Sequence, residues 1–465
     1  MNDDPKRITL EEWDRRYTEL RKAGMGEPDY GGPLRRHVED GDLRLLGLRY
    51  DNSAASLRLW NFLLTEKDRL HQARARGKKI VGAMKDLGTV PVMAYSLPEV
   101  VAFYPDGAWW IPCVMELSAG LLSIADSLGI NESFCPVRAM LGAFVTGAHF
   151  PRPDLLTCSV GATCDDFSAI AQRLNGLGYP ILWWEVPHRR HPDPDEEAVT
   201  LPGGFVAPEI QVSFVKSELE RLRRAFEDFA GTHLDEDALS AGIERANGVR
   251  RVLAELRRIT FTAAICPLPA LEMLIAEMLA IHFCSDQGEA LVVLNGLLNE
   301  VKSRVRAGKG VLARESARIF WVNPVADLRI MNLLEESGGR VCGTEYLFSH
   351  ALDEIPEDMP PMDALARMVL ADPMVGTAAD RAARVSSDIR AFGAEAVLIS
   401  RIPGASHCAV EGTVIGDLVR SQCRIPVLEM EVPPISDPIQ PTLRTRLEAL
   451  IETCRELRKE CSVLE

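Results

Sequence analysis

The chain has 465 residues, of which 47% are hydrophobic and 26% are charged, values that are ordinary for a folded protein with more than one domain. Its 52 basic and 67 acidic residues give a formal net charge of −15, which argues against nucleic acid or an anionic membrane as a partner. The first ten residues are polar and acidic, and no segment holds the about 20 consecutive apolar residues that a membrane span needs. We therefore expect a cytoplasmic protein.

Changes in the hydrophobic pattern divide the chain into five parts. We expect a helical arm over residues 1–70, a first α/β domain over 71–205, a helical insertion over 206–310, a second α/β domain over 311–435 and a C-terminal helix over 436–465. The sequence thus predicts an α/β protein built on two parallel-sheet domains.

The first α/β domain is predicted from short apolar runs that Gly and Pro interrupt. These runs are Ile80–Gly82, Val90–Ala94, Leu155–Cys158 and Ile181–Val186, and a helical pattern over 167–177 separates the last two. The succession of strand, helix and strand at this spacing is typical of a parallel layer.

The helical insertion is indicated by apolar residues that step by four and three, as at Val215, Leu219 and Leu222. After it, strand-like runs return in the second α/β domain, at Ile319–Val322, Ala396–Ile399 and Val427–Met430. A final stretch with apolar residues at helical spacing closes the chain.

The chain has 11 cysteines, which we do not expect to form disulfides in a reducing compartment. Cys135, Cys164 and Cys408 each lie in a predicted loop just before a helix, and the last two follow predicted strands. Loops after parallel strands gather at one edge of a sheet, and helix N-termini favour thiolates. Two interpretations are open at this point: a metal site shared by distant loops, or ordinary buried thiols. Three thiolates would suit a [4Fe–4S] cluster with one open iron.

The order of several short motifs resembles the family of benzoyl-CoA reductases and 2-hydroxyacyl-CoA dehydratases. The resemblance runs from about residue 70 to the end of the chain. The matching segments are Pro98-Glu99 with Gly107 and Pro112, Cys135-Pro136-Val137-Arg138 with Leu141-Gly142, Pro153–Leu156 with Thr163-Cys164-Asp165, Gly231-Thr232 with Ala246-Asn247 and Arg250, His407-Cys408 with Ile425–Glu431, and Thr445–Ala449.

This resemblance implies two flavodoxin-like, Rossmann-like halves and a [4Fe–4S] cluster whose ligands are Cys135, Cys164 and Cys408. It also implies a homologous second subunit, an acyl-CoA substrate and a separate ATP-hydrolysing iron–sulfur activator protein. The activator has to be another polypeptide, because the segment around Gly308-Lys309-Gly310 lacks the upstream glycine and the following hydroxyl of a P-loop.

The sequence departs from the family pattern at three places. Residues 94–97 lack a cysteine that members often carry before the Pro-Glu pair, and Glu431 is followed by Val432-Pro433-Pro434 where an acid is usual. Cys113 and Cys158 are additional thiols near the cluster motifs. These extra thiols leave a double-cubane cluster as an alternative cofactor.

Two residues are candidates for acid–base roles. His407, next to Cys408, is a candidate proton donor or a hydrogen-bond donor to a cluster sulfur, although a loop histidine merely close to a cluster is the commoner case. Glu99 is a candidate general acid, with an acid in the first turn of a helix as the alternative interpretation. The pairs Trp109-Trp110 and Trp183-Trp184 suit either an aromatic acyl pocket or the core.

The resemblance implies one-electron reduction of a thioester to a ketyl. From the tryptophan pairs we expect reduction of benzoyl-CoA or a related aromatic acyl-CoA. The alternative within the family is dehydration of a 2-hydroxyacyl-CoA. The alternatives from other classes are a non-catalytic subunit that binds a cluster or a partner, and a double-cubane reductase of small molecules.

Overall fold

The computed structural model describes residues 4–26, 32–39, 41, 43–86, 88–107, 120–147, 149–282, 284–347, 349–434 and 436–464; for residues 349–350, 407–409 and 461–464 it describes the backbone alone. The strands are β1 (Arg7–Ile8), β2 (Tyr50–Asp51), β3 (Lys79–Met84), β4 (Val100–Phe103), β5 (Leu155–Gly161), β6 (Ile181–Val186), β7 (Ala198–Thr200), β8 (Val206–Pro208), β9 (Ala317–Val322), β10 (Gly339–Glu345), β11 (Ala396–Arg401) and β12 (Val427–Glu431).

The helices follow the same chain order. They are α1 (Leu10–Lys22), α2 (Arg35–Glu39), α3 (Ala54–Leu64), α4 (Glu66–Ala75), α5 (Val90–Tyr95), α6 (Gly120–Ser127), α7 (Ala139–Thr146), α8 (Asp165–Gly176), α9 (Glu209–Ala230), α10 (Glu236–Thr262), α11 (Ala270–Met278), α12 (Gln287–Ala307), α13 (Arg329–Glu336), α14 (Pro361–Leu370), α15 (Ala378–Phe392), α16 (Ser406–Cys423) and α17 (Gln440–Leu464). Among the described residues, no helix combines the length and the apolar character that crossing a bilayer requires.

Two parallel four-stranded sheets form the centre of the described structure, which confirms the predicted fold class. Their strand orders are β4-β3-β5-β6 and β10-β9-β11-β12, so each sheet has its first strand between its second and third. Most residues of the inner strands are buried, as is typical of parallel strands with helices on both faces. In an open sheet of this order, ligands bind beyond the carboxyl ends of the strands, where the strand order reverses.

The two sheets repeat a detail of backbone geometry at this point of reversal. Lys85 and Asn323 each follow the first strand of their sheet, and both have positive φ, 59° and 71°. Ser159 and Ser400, on the third strand of each sheet, hydrogen-bond through their hydroxyls to the carbonyls of Lys85 and Asn323, at 2.6 and 3.3 Å. The two domains therefore share a local construction as well as a strand order.

One predicted strand is wrong. The run Val90–Ala94 forms helix α5, and the strand in this region is instead β4, Val100–Phe103. Pro91 lies in the first turn of α5, where a missing N–H is tolerated, whereas in a central strand it would remove a ladder hydrogen bond. The carboxylate of Asp86 accepts hydrogen bonds from the backbone N–H groups of Thr89 and Val90 and so stabilises the start of the helix.

The N-terminal helices pack on the helical insertion through a buried polar cluster. Arg304 of α12 forms two hydrogen bonds with the Asp51 carboxylate, at 2.7 and 3.0 Å. Glu272 of α11 accepts hydrogen bonds from the Asp51 backbone N–H and the Trp60 indole N–H. Burial, and secondly the charge of Asp51, raise the pKa of Glu272 to about 8.

This raised pKa predicts a pH-dependent stability. The pKa of Glu272 in the folded protein, about 8, lies above the ordinary value for glutamate. The stability that protonated Glu272 gives the folded protein is therefore complete below about pH 4 and is lost as the pH rises through 8. We expect Glu272→Gln to gain roughly 2–4 kcal/mol relative to wild type between pH 5 and pH 8.5, measured by urea unfolding. Glu244→Gln, at an exposed position of α10, should show no such pH-dependent gain.

Candidate functional site

The candidate site lies where the carboxyl ends of the two sheets face each other. Cys164 follows β5 through a turn at Gly161, whose φ is 103°, and is the residue immediately before α8. A side chain at Gly161 would place a Cβ 2.2 Å from the carbonyl oxygen of Val186, so only glycine permits this close turn. The Cys164 thiol is thus held at a helix N-terminus on the carboxyl edge of the first sheet.

Cys135 lies in a second loop of the same domain. It directly precedes a 3₁₀ turn at Pro136–Arg138, which runs into α7, and it is buried. Pro136 fits the first position of such a turn because its φ is fixed and its missing N–H is not needed there. The Arg138 guanidinium donates a hydrogen bond to the Phe134 carbonyl and so stabilises the loop.

The third loop comes from the second domain. After β11 the chain turns at Gly404, and α16 begins at Ser406, so that Cys408 lies in the first turn of that helix. The side chains of His407 and Cys408 are outside the part of the chain that the structure describes. The Ser406 hydroxyl oxygen is 3.9 Å from the Cys164 sulfur, which brings the start of α16 into contact with the first domain.

Asp166 connects all three loops. One of its carboxylate oxygens accepts a hydrogen bond from the Cys135 backbone N–H at 3.2 Å. The other accepts from the Ser406 backbone N–H at 3.4 Å and from the Ser406 hydroxyl at 3.3 Å. The Cys164 thiol donates to the same oxygen at 3.5 Å. Hydrogen bonds to a charged group contribute about 1.5–3 kcal/mol each, so this carboxylate favours the convergence of the loops.

The backbones of two loops also touch directly. Gly404 has a φ of 79°, and a Cβ at this position would lie 2.5 Å from the Phe134 carbonyl oxygen and 3.0 Å from that of Glu132. The loop before Cys135 and the loop before α16 are therefore packed backbone to backbone across the two domains. This contact depends on the absence of a side chain at Gly404.

Burial favours the protonated form of two thiols near the site, those of Cys164 and Cys158. Burial, and secondly the charge of Asp166, raise the pKa of the Cys164 thiol to about 12. Cys158, inside β5, also has a pKa raised to about 12 by burial, and its thiol donates to the Ser159 carbonyl. A metal bound to such thiols would displace their protons and stabilise the thiolates by its positive charge.

Lys85 brings a positive charge to the same edge of the sheet. Lys85 is 6% exposed, and its ammonium group donates a hydrogen bond to the Ser168 hydroxyl at 2.9 Å. Burial lowers the pKa of Lys85, while the neighbouring Cys158 and Cys164 oppose this shift. The sequence did not single out Lys85, and by sequence alone the two acids after Cys164, Asp165 and Asp166, are interpreted first as helix-capping acids. The available signal for Lys85 was its position directly after a predicted strand.

The other sequence candidates are distributed differently. Glu99 is exposed in the turn before β4, where its carbonyl accepts from the Lys79 N–H, so it lies at the amino edge of the sheet, opposite to the cysteine loops. The interpretation of Glu99 as an acid in the first turn of a helix is wrong, because the residues after it form a strand. Trp184 is buried in the core under α9. Cys113 and the pair Trp109-Trp110 are outside the described residues.

The described residues do not by themselves contain a complete metal centre. No three His, Cys, Asp or Glu side chains among the described residues are arranged to bind a metal ion. The Cys408 side chain is not among the described residues. The loops that carry Cys135 and Cys164 nevertheless meet at the start of α16.

The fold and this site define a class of protein. It is a two-domain α/β protein in which the carboxyl edges of two parallel sheets face each other and carry cysteine thiols. The chain belongs to the family described as 2-hydroxyglutaryl-CoA dehydratase, D-component, whose model matches residues 97–454. This match confirms the resemblance found in the sequence and makes the chain an enzyme subunit of the dehydratase and reductase class. No curated protein matches the chain.

The close backbone contact predicts the effect of adding one methyl group. Gly404→Ala should separate the two loops and lower the thermal unfolding midpoint, measured by calorimetry. Gly308→Ala introduces a side chain at a similar positive φ with no neighbour within 4 Å, and it should cost only the roughly 1–2 kcal/mol of left-handed backbone. Equal behaviour of the two variants would contradict the role of the contact.

Proposed function

We propose that this chain is the cluster-binding catalytic subunit of an ATP-dependent, low-potential acyl-CoA enzyme, with Cys135, Cys164 and Cys408 as ligands of a [4Fe–4S] cluster. The observation that carries the proposal is the convergence on Asp166 of the three loops on which these cysteines lie. The family match, over residues 97–454, supports the proposal that the chain is such an enzyme subunit.

The residues present fit such a cluster. Cys164 is a half-buried thiol, and the neighbouring backbone N–H groups at the start of α8 favour a thiolate there. Cys135 and Cys408 lie at the starts of two other helical segments. When bound through three thiolates, the cluster supplies an electron at low potential and one iron without a protein ligand.

The chain's own groups would bind and orient an acyl thioester at this edge of the two sheets. The Lys85 ammonium provides a positive charge toward an oxygen that gains negative charge during reduction. We propose His407, in the first turn of α16, as a proton donor next to the Cys408 ligand. Glu99 is not part of this proposed site, because it is exposed at the opposite edge of the first sheet.

As the reaction we propose dehydration of a 2-hydroxyacyl-CoA, with reduction of benzoyl-CoA or a related aromatic acyl-CoA as the second candidate. The description of the matching family favours dehydration. One argument for an aromatic pocket is weaker than the sequence suggested, because Trp184 packs in the core beneath α9. Trp183 is half-buried, and its carbonyl accepts a hydrogen bond from Arg221.

The proposed partners follow from the chemistry. An electron at such a potential requires energy input, and we propose a separate ATP-hydrolysing iron–sulfur activator that delivers it. We also propose a homologous second subunit. A non-catalytic, cluster-binding role and a double-cubane cluster remain alternatives that iron stoichiometry separates, because a double cubane carries about twice the iron of one [4Fe–4S] cluster.

The ligand assignment predicts a clear difference among cysteine variants. Cys135→Ser, Cys164→Ser and Cys408→Ser should each lose most of the bound iron while retaining the circular dichroism of the folded protein, because a serine hydroxyl does not replace a thiolate ligand. Cys423→Ser, at the other end of α16, and Cys461→Ser should keep wild-type iron. Full iron in the Cys164→Ser protein would remove this residue from the ligand set.

The reaction is tested with the purified subunit pair and its activator under anaerobic conditions with ATP. We expect turnover of 2-hydroxyacyl-CoA thioesters, followed by the appearance of the enoyl-CoA product in mass spectrometry. Exclusive turnover of benzoyl-CoA would select the second candidate. No turnover of either, together with an EPR signal that no acyl-CoA perturbs, would favour the non-catalytic role.

A further inference from the structure

Asp166 occupies an unusual place for an acid in the first turn of a helix. It is 5% exposed, whereas its neighbour Asp165, on the same turn of α8, is exposed to solvent. Acids in this position usually interact with the N–H groups of their own helix. The Asp166 carboxylate instead accepts hydrogen bonds from Cys135 and Ser406, in two other loops.

The negative charge of Asp166 is not neutralised by an ion pair in the described structure. Among the described residues, no Lys, Arg or His nitrogen lies within 4 Å of its carboxylate. Its hydrogen bonds come from N–H, hydroxyl and thiol donors. The carboxylate of Asp166, which is 5% exposed, therefore lies 3.5 Å from the Cys164 sulfur without an ion-pair partner among the described residues.

Lys85 is the opposite charge near the same thiol. Its ammonium is bonded to the Ser168 hydroxyl, and no described carboxylate oxygen lies within 4 Å of it. The equivalent position in the second domain, Asn323, is uncharged and contacts Arg381, whose charge is compensated by Glu345 and Glu411. Among these residues, Lys85 and Asp166, both on the Cys164 side of the site, are thus the charged groups without an ion-pair partner within 4 Å.

We infer that Asp166 is a positioning residue for the cluster proposed above: its carboxylate aligns the three ligand loops before iron is bound, and its charge beside the Cys164 ligand lowers the reduction potential of the cluster. The inference rests on the proposed function. Adding an electron adds negative charge to the site, which a fixed carboxylate nearby disfavours and a fixed ammonium favours. Lys85 therefore acts in the opposite direction to Asp166.

The charge is tested by substitutions that keep the shape of the side chain. Asp166→Asn removes the charge and keeps one of the two acceptor oxygens, so a cluster that still binds should become easier to reduce, by about tenfold or more in the reduction equilibrium, which for one electron is about 59 mV. Lys85→Met should shift the potential the other way. The measurement is an EPR-monitored redox titration of the iron-loaded protein with its partner subunit. Asp165→Asn is the matched control and should leave the potential unchanged.

The alignment is tested without iron. Asp166→Ala removes both oxygens that accept hydrogen bonds from Cys135, Cys164 and Ser406. The iron-free protein should therefore unfold at a lower temperature and take up iron and sulfide more slowly during reconstitution, while the iron-free Asp165→Ala protein should match wild type. Loss of iron from Asp166→Asn as well would support the alignment, and Lys85→Met would then test the charge.

Three results would overturn the inference. They are unchanged potentials in both Asp166→Asn and Lys85→Met, shifts of the same sign in the two variants, and an Asp166→Ala protein that matches Asp165→Ala in stability and iron uptake. A wild-type protein that binds no iron beside its partner would instead refute the proposed function, so the two failures are distinguishable.

Discussion

The carboxylate of Asp166 joins segments that are far apart in the chain and belong to two domains. It accepts hydrogen bonds from Cys135, 31 residues earlier, and from Ser406, 240 residues later. A buried carboxylate needs such donors, because leaving its oxygens unsatisfied costs several kcal/mol. The hydrogen bonds that satisfy the Asp166 carboxylate therefore also fix the relative position of the loops around the candidate site.

The symmetry of the two domains explains why the loops meet. Each domain has its first strand between the second and third, and each has a residue with positive φ directly after the first strand. Two such sheets that face each other through their carboxyl edges bring two points of strand reversal together. The domains differ in charge at these points: the second has Asn323 and a compensated Arg381, whereas the first has Lys85 and Asp166.

The helical insertion helps to hold this arrangement. Arg250 of α10 is buried and donates to the carbonyls of Gly88, in the first domain, and Asp353, in the second. The cluster of Asp51, Glu272 and Arg304 attaches the N-terminal helices to the insertion on the other side. Buried charged groups with several hydrogen bonds restrict geometry more than apolar contacts do, because a small displacement leaves a polar atom without a partner.

The sequence by itself determined the fold class, because periods of two and of 3.6 residues are local properties of a chain. Strands β5, β6, β9, β11 and β12 lie where apolar runs were found, and the family resemblance rests on motifs that are equally local. The strand expected at Val90–Ala94 is wrong because a run of five such residues fits a buried helix as well as a strand, and Pro91 is tolerated in the first turn of a helix.

Tertiary structure alone decided which polar groups share the site. A pair of acids after Cys164 predicts helix capping for both residues, and only the packing of α8 against the other loops buries Asp166 and leaves Asp165 in solvent. The sequence made Glu99 a candidate general acid, but the direction of β4 places it at the opposite edge of the sheet. Distances between residues that are far apart in sequence depend on how sheets and helices pack, and no local pattern encodes them.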